Sequence, residues 1–368
     1  IALFIFSGFY EYFFRVYGIS SFIFLAFAGA LSAFYIFFRF PTFLKITPYV
    51  FIGLIFVFFA LAPLSLLSVD YYLEFSYFFN ILQYLLLGSS IGIYLSLNKK
   101  NDIKFFLFLC LLANFSGVIF SLLGFIELSY LRVTGFFNNA NFMAIHLGLF
   151  GLLALASFNN IYVKLLIIFF TTLLLFFTFS RAGMICWIVS LAVYLITSAK
   201  DFRVILAILI LSILLIPSFL ILISNADYLQ QEVLNDRLNI SFSNYSFAER
   251  VFLVEKSLEY MQNFKILGYG PGYTFSPNWG FSVSTHNIYV LTFIEYGIIG
   301  FTIFSLILLN TFIKIIKSNE DANTKSALIS AFIYILLQGF FSHNFFDAIF
   351  FFFFIFFSNY LCSKTATD

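Results

Sequence analysis

The sequence predicts an all-α polytopic membrane protein of about twelve transmembrane helices, with one large outward-facing loop between spans nine and ten. Three observations carry this. The 368-residue chain is 62% hydrophobic, has a mean hydropathy of +1.02 and is only 10% charged, against roughly 25% charged in soluble domains. Its apolar runs recur at about 17–25 residues, enough for a helix to cross a ~30 Å hydrocarbon core with every backbone group satisfied internally. One polar island, residues 225–285, interrupts them. The chain divides accordingly into residues 1–224 with helices one to nine, residues 225–285 as the outward loop, and residues 286–368 with helices ten to twelve.

Taken in order, the first span, residues 1–9, opens at Ile1 rather than Met and reads as truncated. Residues 8–20 then turn through Glu11 and Arg15. The second span, about 20–38, closes at Arg39-Phe40-Pro41, because proline cannot continue a helix interior. A third covers about 48–67, followed by a loop with Asp70 and Glu74, and a fourth covers about 75–97 up to Asn98-Lys99-Lys100. The fifth, about 104–125, leads to a loop holding Glu127, Arg132 and Asn138-Asn139-Ala140-Asn141. The sixth is 142–158 and the seventh about 162–179, and Ser180-Arg181-Ala182-Gly183 turns tightly into the eighth, 183–199. The ninth is 204–224, and after the island come spans at about 287–313, 326–342 and 346–362. Cys110, Cys186 and Cys362 all fall in apolar runs and read as inert buried thiols.

Lysine and arginine in short loops collect on the cytoplasmic side. Ten of the twelve Lys fall on one side of this layout, which makes both ends cytoplasmic and turns the island outward. Five of the seven Arg lie on the opposite, outer side. Insertion bias does not explain those. Arginine carries a rigid donor fork that fits phosphate oxygens and stays charged; the plainer alternatives are snorkelling or simple ion pairing. Arg181 stands out, because its connection is too short to swing into water and a charge held near hydrocarbon is costly. Arg132 precedes an Asn cluster that either caps span six or binds sugar hydroxyls. His146, one turn into span six, reads as a core histidine rather than a ligand.

Within the island, Ser246-Phe247-Ala248-Glu249 has the form of a capping box. It opens an amphipathic helix whose apolar stripe is Phe247, Val251, Val254, Leu258 and Met261, lying at the membrane surface or on the spans. Arg250 falls in its first turn, where helix N–H groups and a cation together suit an anion; an ordinary solvated position is the alternative. The glycine-rich run Ile266-Leu267-Gly268-Tyr269-Gly270-Pro271-Gly272-Tyr273 matches neither dinucleotide nor P-loop spacing. His286 sits where the island returns to the membrane. With an ordinary pKa of about 6.5, an imidazole can take a proton from an attacking hydroxyl; position alone favours an interfacial His packed on aromatics, and Arg181 and Arg250 on the same side, available to form an anionic site, weigh against it. Glu295, further along the same span, is an intramembrane carboxylate, and Ser342-His343-Asn344 with Asp347 close the last outer loop.

Several of these segments together resemble the O-antigen ligase and polymerase superfamily. They are Thr134-Gly135-Phe136-Phe137-Asn138-Asn139-Ala140-Asn141, Phe179-Ser180-Arg181-Ala182-Gly183, Ile266-Leu267-Gly268-Tyr269-Gly270, Thr285-His286-Asn287-Ile288-Tyr289 and Glu295-Tyr296-Gly297-Ile298-Ile299-Gly300. They run in order over residues 130–300, with Asn139 where the family often has Pro. The resemblance implies a GT-C-like, inverting membrane glycosyltransferase of the bacterial inner membrane. Its active site would face the periplasm or cell exterior. The donor would be an undecaprenyl-pyrophosphate-linked glycan, and the acceptor a glycan or lipid A-core hydroxyl, as in O-antigen or surface polysaccharide polymerisation or O-antigen ligation in lipopolysaccharide biosynthesis. On the matching positions His286 resembles the catalytic base, and Arg181, Arg250 and Arg132 the pyrophosphate-binding residues, with Asn287, Glu295 and Asn141 in support. No Asp-x-Asp occurs in the outer loops, so no metal and no cofactor is expected, and nothing suggests nucleic acid as a partner beside the lipid bilayer. Acceptor choice separates ligase from polymerase, and the divergent chain ends lean to the latter.

A transporter or flippase of lipid-linked glycans is the competing class, because His146, Glu295 and the outer Arg could serve passage or proton coupling. No repeated half-motif links the two halves of the chain, and the polar residues crowd one face. A membrane anchor, the third class, would need no outward Arg bias.

Overall fold

One helix, Ala140–Leu155, is apolar around its whole circumference and buries nearly every residue from Met143 onward, as expected of a helix that has no solvent face. The computed structural model that shows this describes residues 2–17, most of 24–38, 75–124, 126, 132–198, 245–262, 266–280, 284–342 and 348–364. Among the described residues, the helices with defined bounds are α1 (Ala2–Phe6), α2 (Phe9–Val16), α3 (Phe75–Leu97), α4 (Lys100–Leu122), α5 (Ala140–Leu155), α6 (Ile161–Phe177), α7 (Arg181–Ser198), α8 (Tyr245–Gln262), α9 (Ile288–Lys317), α10 (Ala322–Gly339) and α11 (Ile349–Lys364), and residues 27–32, which include Gly29, are helical as well. By length and composition, four described helices can cross a membrane: Tyr77–Leu95, Lys100–Leu122, Arg181–Ser198 and Ile288–Lys317. Ala140–Leu155, Ile161–Phe177 and Ile349–Ser363 are shorter apolar helices. The protein is all-helical in its described parts and consistent with a polytopic membrane protein. The expected third and ninth spans and the first part of the island lie outside the described residues.

The chain forms two units. The first comprises residues 1–19, 100–245 and 321–338. Here α5 is the central element, with α1, α4, α6, α7 and α10 around it. Small residues permit the close approaches: a Cβ on Gly183 of α7 would stand 2.8 Å from the Ala144 Cβ of α5. His146 is buried, its Nδ1 on the Phe142 carbonyl (2.9 Å) and its ring against Phe137 (4.4 Å), a core histidine as the sequence suggested. At the far end of α5, Asn323 of α10 donates to the Leu155 and Ala156 carbonyls while its Oδ1 accepts from Lys164 and Tyr194. This ties α5, α6, α7 and α10 into one joint.

The expected turn over residues 8–20 is instead mostly helix. Gly8, at φ +75°, ends α1 after five residues, and α2 starts at once over Phe9–Val16. A Cβ on Gly8 would meet the Phe137 ring at 2.7 Å. Glu11 stands in the first turn of α2, where helix N–H groups favour a carboxylate, and it also accepts from the Asn138 N–H (3.0 Å).

The second unit comprises residues 20–99, 246–320 and 339–368. Gly88 and Gly92 of α3 face α11: a Cβ on either would reach the Phe353 or Phe357 backbone nitrogen at 2.7 or 2.8 Å. This is the small-xxx-small packing by which membrane helices approach backbone to backbone. The free thiols Cys110, Cys186 and Cys362 are buried.

Helix α8 corrects one expectation. It begins at Tyr245, so Ser246 is its second residue rather than its cap. Leu253 and Ser257 are buried against the protein, and Val254 and Leu258 of the expected stripe are exposed. Leu253 joins Tyr269, Tyr273, Trp279 and Ile294 in one cluster, with Tyr260 packed against it. Aromatic partners from the following segment chose the face, which helical periodicity alone could not do.

Candidate functional site

In the first unit three sequence motifs converge on two helix starts. Asn139 caps α5, its side chain accepting from the Asn141 N–H at 2.8 Å. Ser180 precedes α7 and its Oγ accepts from the Gly183 N–H at 3.2 Å. The same Oγ donates to Asn141 Oδ1 at 3.0 Å, so the two helix starts are bonded to each other. Arg132 completes the group: its Nε donates to the Thr178 carbonyl (3.0 Å) and its Nη2 to Asn141 Oδ1 (2.7 Å). Two contacts at fixed angles hold the guanidinium plane in one orientation. Arg181 is the first residue of α7 and is half-buried.

Neither α5 nor α7 has an acid in its first turn. Helix N-termini carry a partial positive charge that ordinarily attracts Asp or Glu. Here one of them begins with an arginine. Two N-termini and two arginines therefore gather positive charge at one place, with the Glu11 carboxylate beside them on the Asn138 N–H (3.0 Å), and the N-termini and guanidinium groups suit an anion. Sequence reading singled out Arg132, Asn141 and Arg181, and the structure brings them together. It missed Ser180 as the link. The Thr178 carbonyl, a backbone group, carries no side-chain signal to read.

In the second unit the site is built on a broken helix. Helix α9 contains Gly297 at φ 67°, ψ −169°, a conformation essentially confined to glycine. In a continuous helix the carbonyls of Ile294 and Glu295 would accept from residues 298 and 299. They accept instead from the Tyr269 N–H (2.8 Å) and the Gly270 N–H (2.9 Å), while the Ile299 N–H reaches the Ile266 carbonyl (3.4 Å). The glycine-rich run thus supplies the helix bonds that the break removes, which is how irregular backbone survives in a membrane protein. Contact is backbone to backbone. A Cβ on Gly268 would lie 2.5 Å from the Glu295 carbonyl, and one on Gly297 would lie 2.2 Å from the Ile266 oxygen.

Glu295 is fully buried at this break. Its Oε1 accepts from the Thr274 N–H (3.2 Å) and hydroxyl (2.8 Å), and the Ser284 hydroxyl donates to Thr274 Oγ1 (2.9 Å). Two residues on, His286 is half-buried and has φ 51°. Asn287 then caps α9, its Oδ1 accepting from the Tyr289 and Val290 N–H groups at 3.0 and 3.2 Å. His286 is therefore aimed by a turn just ahead of a helix N-terminus. Among the described residues only Phe179 and His286 are non-glycine positions with φ in the left-handed region, and each stands immediately before the residue that caps a motif-bearing helix. Such outliers persist where their surroundings over-determine them, and cluster at functional positions.

Asn287, Glu295 and His286 thus share the second unit, and Arg132, Asn141 and Arg181 the first. Arg250 lies in α8, but its side chain is outside the described ones, as are His343 and Asp347. Thr274 and Ser284 escaped the sequence reading; their one mark was a hydroxyl in an aromatic and glycine-rich run.

Compared with known proteins, residues 165–305 match the family model described as O-antigen ligase. The match takes in Arg181, Arg250, His286 and Glu295 and supports the resemblance to the O-antigen ligase and polymerase superfamily. No curated protein matches the chain.

Proposed function

We propose that this chain is a membrane glycosyltransferase that moves a glycan from undecaprenyl pyrophosphate to an acceptor hydroxyl at the outer face of a bacterial inner membrane. The observation that carries it is the match to the O-antigen ligase family model over residues 165–305, in a chain whose first unit bears an arginine-bearing pair of bonded helix starts and whose second unit holds a histidine in a left-handed turn.

The chemistry follows from the charges. A glycosyl pyrophosphate already carries a good leaving group, so the enzyme must stabilise the departing diphosphate and deprotonate the acceptor. Arg132 and Arg181, with the α5 and α7 N-termini, supply donors to the diphosphate oxygens, and Arg250 adds a third cation. Such preorganised donors are usually the largest catalytic contribution. His286 accepts the acceptor hydroxyl proton. The acceptor oxygen attacks the anomeric carbon from the face opposite the diphosphate, the C1–O bond to phosphate breaks with its electron pair, and the configuration inverts. Asn287, Glu295 and Asn141 hold these groups in place. No step calls for a metal.

Transport is the second reading, because broken helices also form ion and substrate sites in transporters. In those sites unwound carbonyls serve the ligand. Here the Ile294 and Glu295 carbonyls are already bonded to Tyr269 and Gly270, which favours catalysis.

The test is a glycan ladder from cells lacking this protein, complemented with wild type, His286→Ala or Arg181→Ala. Both variants, correctly inserted, should lose transfer by a factor of about 100 or more. Full activity in both sinks the proposal. If deletion leaves single repeat units on the lipid core, the chain is a polymerase. Loss of all attached glycan, with polymer accumulating on undecaprenyl pyrophosphate, makes it a ligase.

A further inference from the structure

The left-handed backbone of His286 has to be held from both sides, because an L-residue does not stay there unaided. On its C-terminal side Asn287 and the α9 N–H groups hold it. On its N-terminal side the chain runs through Thr285 and Ser284, each 1% exposed, to a hydrogen-bond series ending at Glu295, which is 0% exposed.

The direction of that series is dictated by its end. Glu295 Oε1 receives the Thr274 hydroxyl proton. Thr274 has only that proton, so towards Ser284 its oxygen can only accept, and Ser284 must donate. Ser284 is thereby oriented by a carboxylate on another element, which is itself clamped where Gly268 and Gly297 press backbone on backbone. We propose that Thr274 and Ser284 are positioning residues, transmitting the location of Glu295 at the α9 break to the turn that aims His286. This rests on the reading of His286 as the base. Glu295 and Thr274 touch no substrate in this scheme; they act through His286.

The experiment uses the full chain in lipid vesicles with an undecaprenyl-pyrophosphate-linked glycan, and reads released undecaprenyl pyrophosphate, a product common to polymerase and ligase. Thr274→Val keeps the shape and deletes the hydroxyl. It should lower kcat about 10- to 100-fold, the scale of a misplaced catalytic group, while KM for the donor stays within about twofold. Thr274→Ser should restore kcat. Ser284→Ala should shift kcat in the same sense; it leaves the Thr274 hydroxyl bonded to Glu295 and no buried donor unsatisfied, so it decides the matter if Thr274→Val does not fold. Wild-type kcat in both variants alongside an inactive His286→Ala overturns the relay and leaves the base reading standing. A rise in KM at unchanged kcat also overturns it. A fully active His286→Ala removes the base and the relay together.

Discussion

Replacing Gly297 by alanine should open the α9 break and the glycine run together. At φ 67°, ψ −169° any L side chain is strained, at about 1–3 kcal/mol. The new Cβ would also lie 2.2 Å from the Ile266 oxygen and 2.5 Å from the Gly268 nitrogen. Both are backbone atoms that cannot swing aside, and overpacking of this kind adds about 1–3 kcal/mol. The Tyr269–Ile294 and Gly270–Glu295 hydrogen bonds would stretch as the segments part, each contributing about 1 kcal/mol. Gly280 is the control, because it has a similar φ (+78°) but nothing within 4 Å of a Cβ. Gly280→Ala should cost only the backbone strain, about 1–2 kcal/mol. The assay is thermal unfolding in detergent followed by Trp279, which is fully buried in the cluster beside the break; Trp187→Phe removes the only other tryptophan. Gly297→Ala should melt several degrees below Gly280→Ala, taking about 2–4 °C per kcal/mol. Equal melting temperatures would refute the claim that backbone contact at the break holds this unit together.

Three further outcomes are expected. Arg132→Lys keeps the charge but loses the fork that spans the Thr178 carbonyl and Asn141, so undecaprenyl pyrophosphate release should fall about 10-fold or more; wild-type rates would show that charge alone suffices. Gly88→Ala, whose Cβ would stand 2.7 Å from the Phe353 nitrogen, should destabilise the chain by about 1–3 kcal/mol, whereas Gly29→Ala, with its nearest neighbour at 3.7 Å, should be neutral or stabilising. Asp321 stands between α9 and α10; burial pushes its carboxyl up, but the Lys100 hydrogen bond, the Thr324 N–H and hydroxyl, and the Lys100 charge outweigh this and bring it down to about 2. Its folded pKa is depressed, so its contribution is present above the unfolded value of about 3.9 and is lost as pH falls towards 2. Melting should weaken across that window in wild type and less so in Asp321→Asn.

What could be read from residues alone was local. Apolar runs placed α3 to α7 and α9 to α11 within a few residues, because a membrane-compatible helix satisfies its own backbone and advertises itself by hydropathy. The cap of α5 in the Asn cluster was equally visible, because a cap and the N–H it serves lie within three residues of each other. The tertiary structure alone decided the rest. Residues 287–313 read as one unbroken span, since isolated glycines in an apolar run look tolerable; the break at Gly297 exists because Tyr269 and Gly270 are present to bond the freed carbonyls. Leu253 and Ser257 of α8 were buried once Tyr269, Tyr273 and Trp279 packed there. Thr274 and Ser284 acquired partners only when Glu295 came within reach. Backbone-to-backbone pairing and buried hydroxyl chains join residues far apart in sequence through groups that every residue, or any serine and threonine, possesses. Their side chains carry no mark of the partner, so only the folded arrangement assigns it.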